Sequence, residues 1–547
     1  MEILNSQNAN ILGIQIENMD LEIIENRTTN GVTYIDLIGT PTKYYDNYHI
    51  KGIKYIKDEK EYIQSTYYLI EEAFYKEITK YEDWQNIDRE SYENYRLVTD
   101  LDFTGKQSIN YNLKIGNLVT EGKIHTIKNK TLNVGSTSRS GLISILKNNI
   151  ENIKFENINI NCNQNIAVGG IGVIGRLEGN MHNIEFSNIN INISEEAKTI
   201  DQVGCIGYSG GLYIDKIRAK NVHITGGRNY IGGIFGLADY KEINDVEVNN
   251  INIESNANYV GGVIGRNAII ESNNNSTNIK ITNSNIKGNS SVGSITGYGG
   301  FKEKGIVEDC VIEGYEYVGG ALGNQVYACG MLKNTTIVNS HIKGVKSIGG
   351  IIGIGGHIGD STIIGSTIEG LQTNSQNVGG VVGSIGWIPQ QVGIKDSKVI
   401  SKGINVGGIA GKGGQIYRSF ANNVQVEGYA YVGGITGRYD YGNVDHVYTN
   451  ATVIATEHSA GGIVGYFDNT KKDETDDHSF ITVSNSYYAE GTIQAKENVG
   501  GLIGEIVEVL YGPGNYYGGN YVEAYLQSEN TERTSLGIGN MQKKTQS

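Results

Sequence analysis

Proline and cysteine are nearly missing from this chain of 547 residues, which holds 3 of the first and 4 of the second. So little proline rules out the two compositions that could explain its 75 glycines, a collagen-like helix and a Pro/Gly-rich disordered linker. The cysteines, Cys162, Cys205, Cys310 and Cys329, are too few and too scattered to staple a chain this long, and no CxxC or Cys/His spacing suggests a metal site. No basic block occurs and the formal net charge is -14, which argues against a nucleic-acid partner. No stretch approaches the length of an apolar membrane span. The first twenty residues lack the basic start and apolar run of a secretory signal, which leaves either an intracellular protein or a piece of a longer one. With 38% apolar and 19% charged residues the chain can still bury a core.

What the chain does have is a repeat. The first 100 residues hold 4 glycines and 12 tyrosines, and the other 447 hold 71 glycines, so a domain boundary falls near residue 105. Beyond it one pattern returns: an apolar residue, Gly, Gly or a small residue, an apolar residue, any residue, Gly. It reads Ile231-Gly232-Gly233-Ile234-Phe235-Gly236, Val260-Gly261-Gly262-Val263-Ile264-Gly265 and Val318-Gly319-Gly320-Ala321-Leu322-Gly323, with further copies starting at Ile348, Val378, Val406, Val432, Ala460 and Val499. Looser copies begin at Val168, Val203 and Val292, and Ser140-Gly141-Leu142-Ile143 reads as a decayed first one. From Gly169 to Gly500 the first glycines are 26 to 39 residues apart. A period of about 30 residues belongs to solenoids and arrays.

Between copies the pattern is that of strands. Val246-Glu247-Val248, Ile251-Asn252-Ile253 and Val424-Gln425-Val426 alternate apolar with polar, and Asn, Gly, Ser and Thr punctuate them. The apolar residues around the glycine pair, such as Val406 and Ile409, sit at an odd separation, so burying both requires a bend, and glycine permits positive φ or close backbone approach there. The asparagine-rich stretch Glu156 to Asn163 suits turns and stacked polar ladders. These patterns predict an all-β chain, a right-handed parallel β-helix of about 12–13 coils with roughly three strands each. It would span residues 106–505 as a rod of roughly 60 Å, behind a small mixed α+β cap over 1–105 and ahead of a polar tail over 506–547. Residues 59–80, with Tyr62, Leu69, Ala73 and Ile78, are expected to include a helix covering the open end, where bare strand edges would otherwise invite pairing.

The recurring Val-Gly-Gly-Ile-x-Gly resembles the GLUG repeat of bacterial surface and secreted proteins. The segment ahead of it, with Ile78, Glu82-Asp83-Trp84, Asn94-Tyr95-Arg96-Leu97 and Asp100-Leu101-Asp102-Phe103, resembles the noncatalytic region preceding the protease domain of the immunoglobulin A-specific zinc metallopeptidases. Ile115-Gly116-Asn117-Leu118 and Ile124-His125-Thr126-Ile127 continue the likeness, which spans about residues 74 to 505. The resemblance implies a noncatalytic scaffold or substrate-engaging region of an extracellular or cell-surface protein. That family's catalysis rests on HExxH, whose two histidines share a helix face and whose Glu activates water. None of the nine histidines here is followed by Glu, and the closest pair, His446 and His458, is twelve apart.

Candidate sites weigh toward structure. Gly170-Ile171-Gly172-Val173-Ile174-Gly175 spells a dinucleotide loop but sits in register with the repeats and opens no helix. Gly359-Asp360-Ser361 faintly suggests a serine nucleophile, yet strand-like Thr362-Ile363-Ile364 follows and no partner His or Asp can be named. The acidic run Asp473 to His478 lies in the longest gap and reads as a solvated loop, with calcium ligation as the alternative. The carboxylates Asp245, Glu247, Asp309 and Asp360 are spread over coils, and only a structure can say whether any face each other as glycan cleavage requires. Tyr44, Tyr45, Tyr48, Tyr67, Tyr68, Tyr75 and Tyr81 read as the core of a small domain or as a contact surface. No catalytic, cofactor-binding or metal residue is assigned. The expectation is a rod-like, monomeric binding region for host protein or glycan, with no nucleic acid and no membrane insertion. The alternatives are a free-standing adhesin and a tailspike-like glycan-cleaving β-helix.

Overall fold

The computed structural model describes residues 2–4, 9–29, 32–65, 69–70, 73–106, 113–134, 140–164, 170–197, 199–211, 213–240, 242–267, 275–300, 302–325, 331–355, 357–385, 389–440, 442–468, 482–509, 519–529 and 534–544. The regular structure is nearly all strand, and the one helix among the described residues is the five-residue Tyr81–Gln85.

One turn illustrates the construction. Strands Glu316–Gly319, Leu322–Gln325, Leu332–Lys333, Thr336–Val338 and His341–Gly344 follow one another around the axis. Each pairs in parallel with its counterpart one turn later, so Val318 lies against Ile348, Leu322 against Ile352, Ile337 against Ile363 and Ile342 against Ile368. All of these side chains are fully buried, and they belong to one continuous core that runs from Ile78 to Ile506. This is a parallel β-helix, as the repeat predicts. Earlier turns hold the expected three strands, as with Ile150–Cys162, Gly170–Ile171 and Ile174–Leu177, whereas this turn is divided further, with left-handed Asn334 and Asn339, at φ of 53° and 47°, between its short strands.

A 15-stranded parallel sheet takes one strand from each turn. Thirteen of its strands follow the glycine copies, including the decayed one at Ser140-Gly141; the others are Lys114–Ile115 and Ile538–Lys544, at its two ends. At about 4.8 Å per rung the sheet is roughly 70 Å long. Parallel pairing therefore continues past both expected solenoid limits. It starts where Lys76–Ile78 pairs with Tyr95–Leu97, and it reaches Tyr521–Ser528 and Ile538–Lys544.

The glycine pairs form a file, with Gly319, Gly349, Gly379, Gly407, Gly433, Gly461 and Gly500 in successive register. Of the two reasons for glycine, close approach is the one the structure uses. A Cβ on Gly319 would strike the carbonyl oxygen of Leu322, and one on Gly320 the carbonyl oxygen of Gly350 in the next turn. Positive φ falls two residues ahead of the first glycine in several copies, as on Tyr317, Ser347, Asn405 and Tyr431, at 53° to 60°. In the first loose copy the register differs from the sequence reading. Ile171 pairs with Val203, so Gly172, rather than Gly169, stands level with Gly204.

Asparagine ladders close one corner, as expected. Asn157, Asn188, Asn221 and Asn250 all have left-handed φ, and each donates its side-chain N–H to the asparagine one turn back at 2.8–2.9 Å. Asparagine tolerates this conformation and stacks on itself, so a single residue type serves both needs.

The N-terminal segment holds two antiparallel sheets, one of them with strands Ala9–Ile16, Tyr48–Lys57 and Lys60–Ser65. The expected helix over 59–80 is absent from the described residues. Asp58 and Glu59, with φ of 50° and 63°, form a two-residue hairpin turn that pairs Lys57 with Lys60 and stacks Tyr55 on Tyr62. The helix comes just after, where Trp84 and Tyr81 pack edge-on against Phe103 and plug the first turns. Among the tyrosines singled out, Tyr48 and Tyr81 are buried; Tyr67 and Tyr68 lie outside the described residues. Asp46 fastens this segment to the rod by accepting from the side-chain amides of Asn94 (3.0 Å), Asn117 (2.6 Å) and Asn148 (2.6 Å).

Replacing Asn188 separates the two roles of the ladder. Asn188→Gly keeps the left-handed corner and loses side-chain bonds, at about 1 kcal/mol, whereas Asn188→Ala adds strain of about 1–2 kcal/mol. The Ala variant is expected to show the larger fall in urea midpoint. Asp46→Ala strands three amide donors and is expected to speed proteolysis within residues 1–75 while residues 114–509 stay protected.

Candidate functional site

A parallel stack turns every outward position into a column that runs along the rod. The sites that sequence singles out fall on these columns or on the corners between them. Asp309 and Asp360 are corner residues with φ of 52° and 47° in different turns. Ser361 is a buried corner residue whose hydroxyl donates to Gly359 O (2.7 Å) and accepts from Thr335 N (3.1 Å). A separate file of serines closes the next corner along the chain, where Ser340 N bonds Ser366 Oγ and Ser366 N bonds Ser397 Oγ, each at 3.1 Å. The glycines of 170–175 lie in the stack, Gly170 in strand Gly170–Ile171, Gly175 in strand Ile174–Leu177 and Gly172 between them, with no helix following. The acidic run 473–478 and Cys329 lie outside the described residues.

Asp245 and Glu247, dispersed in sequence terms, are brought together. Arg218 of the preceding turn binds both Asp245 oxygens at 2.9 Å and reaches Glu247 Oε2 at 3.3 Å. Glu247 and Arg218 border a depression of about 590 Å³ along the column Lys154, Glu185, Arg218, Glu247 and Lys280. The guanidinium occupies the space between the two carboxylates that a scissile glycosidic bond would need. Burial raises the Asp239 carboxyl above the usual carboxylate range, the one described carboxylate shifted that way. Among the described residues no three His, Cys, Asp or Glu side chains gather as a metal cluster would. Cys205 and Cys310 are free and buried, and burial pushes both thiols up, Cys310 to about 11, so neither is a ready nucleophile.

Sequence reasoning missed the outward face of the 15-stranded sheet. Arg176 pairs in register with Tyr208, Arg266 with Tyr298, and Arg438 with Tyr466. Arg266 lies 5.3 Å from the Tyr230 ring and 5.4 Å from the Tyr298 ring, donates to Tyr230 OH (3.0 Å), and Tyr230 stacks on Tyr259 at 5.4 Å. Arg438 sits 5.5 Å from Tyr466, which packs at 4.4 Å on Tyr431, and pairs with Asp440 and Asp468. Burial, and then the Asp468 charge, push the Tyr466 hydroxyl up to about 12, so it remains a donor. The signal was present as single tyrosines and arginines, but the turns that align them vary in length. No family model matches the chain and no curated protein matches it.

Ser361→Ala is expected to leave Thr335 N without its acceptor, at about 1–3 kcal/mol. A lowered urea midpoint with unchanged ligand binding fits the corner role; loss of any activity without loss of stability contradicts it.

Proposed function

We propose that this chain is a noncatalytic β-helical binding rod of a bacterial secreted or surface protein, comparable to the substrate-engaging region ahead of the protease domain in immunoglobulin A-specific metallopeptidases. The observation that carries the reading is the row of Tyr and Arg clusters on one face, around Arg266 and around Arg438. These residue types dominate binding energy at protein interfaces, because they offer large contact area with a polar end. Holding the arginines against tyrosine rings in the unbound protein lowers the ordering cost of association. A rigid rod of roughly 70 Å spaces such clusters without any chemistry of its own. No helix among the described residues is long and apolar enough to cross a membrane.

The test uses immobilised immunoglobulin A and the full chain. Saturable binding is expected, weakened at least about tenfold by Tyr298→Ala combined with Tyr466→Ala, with the antibody heavy chain intact on a gel after prolonged incubation. Absence of binding, or cleavage of the antibody or of an offered polysaccharide, overturns the proposal.

A further inference from the structure

The last turns carry a second surface, on the corner opposite in character to the Tyr/Arg face. A depression of about 440 Å³ is lined by Gln390, Gln415, Tyr417, Asn443, Asp445 and Thr482, with Ser484 and Asn485 completing it. Nearly every group in it is an amide or hydroxyl, able both to donate and to accept. The single carboxylate is fixed in place. Asp445 Oδ1 accepts from Ser484 Oγ at 2.6 Å and Asn485 Nδ2 at 3.0 Å, and Oδ2 lies 2.6 Å from His446 Nδ1. Thr482 Oγ1 donates to Asn443 Oδ1 at 3.0 Å, which orients that amide too.

One left-handed corner residue separates the depression from a file of exposed aromatics. The same four-residue step recurs in three stacked turns: Tyr417-Arg418-Ser419-Phe420, Asp445-His446-Val447-Tyr448 and Ser484-Asn485-Ser486-Tyr487, with φ of 48°, 53° and 48° at the second position. The fourth position forms the column Phe420, Tyr448, Tyr487, Tyr521 in parallel register. Tyr448, Tyr487 and Tyr521 are 39%, 50% and 51% exposed, and the Tyr487 and Tyr521 rings are 6.3 Å apart and tilted by 40°. Earlier in the rod the same column holds Thr336, Thr362 and Gly393, so the stack closes without aromatic residues there.

The geometry points to a binding site for a neutral glycan chain, one that goes beyond the protein-binding face. Sugar hydroxyls are paired donors and acceptors, matched by amides, hydroxyls and one oriented carboxylate, while the C–H face of a pyranose packs on tyrosine rings. A hydrophobic peptide segment would leave the amides unpaired, at a cost for each. An anionic polymer would meet Asp445 head on. The alternative is that the tyrosines only brace the stack through cross-strand pairing.

Isothermal titration of the full chain with maltohexaose, cellohexaose and chitohexaose separates these. Saturable binding of at least one is expected, together with no binding of hexagalacturonate. Tyr448→Thr with Tyr487→Thr, which restores the residue type found earlier in the column, should weaken binding at least about tenfold; Asn443→Ala, on the other side of the corner, should weaken it as well and covers the case in which the tyrosine variant fails to fold. Silence with all three neutral hexamers, preference for the anionic one, or binding unchanged in both variants overturns the site. Because the Tyr298 and Tyr466 variant is expected to bind these hexamers normally, loss of antibody binding and loss of glycan binding report on the two surfaces separately.

Discussion

Everything in this molecule follows from in-register parallel stacking. Each residue lies about 4.8 Å from its counterpart one turn away, so no side chain is chosen alone. Buried columns repeat branched apolar residues, as in Ile158, Ile189, Val222 and Ile251. Some large rings lie flat on one another, as Phe155 does on Phe186 at 5.6 Å and 13°. Like charges directly opposite repel, so a charged column gains by alternating in sign, and where Lys412 faces Arg438 the carboxylate of Asp440 pairs with both. The column Glu254, Lys287, Glu313, Lys343 and Glu369 alternates throughout. Glu313 sits 2.9 Å from Lys343 and 3.1 Å from Lys287, and the hydrogen bond from Lys343 leads the effects that hold its carboxyl below the usual range. These partly exposed pairs add little stability one by one. Their effect is to make any register slip of one turn unfavourable.

The same constraint explains what could be read from residues alone. Glycine pairs are legible because two backbones meet at each of them, and no other residue fits against the Leu322 or Gly350 carbonyl oxygens. Asparagine ladders are legible because one residue type meets both the left-handed corner and the stacking need. The further division of some turns into more than three strands was not, because corners are closed by many residue types. Tyr317, Arg418, His446 and Glu490 all take positive φ, and nothing in their own chemistry announces it. The stack supplies what the residue lacks, holding each corner between neighbours of the same shape. The N-terminal helix was misplaced for a local reason, since Asp58-Glu59 makes a hairpin turn within the segment read as helical. The ends of the rod were misread because composition changes before topology does: Lys76–Ile78 and Tyr521–Ser528 pair in the stack without any glycine repeat of their own.

Columnar order also bears on where chemistry can arise. A catalytic site needs unlike groups within a few ångströms, whereas a solenoid places like groups in files and unlike groups on different faces. Arg218, Asp245 and Glu247 show the usual outcome, in which acids drawn together are claimed by the cation in the same column. Exceptions appear where a column changes its composition partway along. The position that holds Thr362 and Gly393 becomes Phe420, Tyr448, Tyr487 and Tyr521 over the last turns, beside a corner where Asp445 is held by Ser484, Asn485 and His446. Folding alone would be served by continuing threonine, which has a comparable preference for strands and exposes less apolar surface. A half-exposed aromatic file that begins abruptly, next to preoriented polar groups, is therefore better explained by recognition than by stability. The same reasoning applies to the arginines of the 15-stranded sheet that are clasped by tyrosines, and it locates function in a solenoid at breaks in its periodicity.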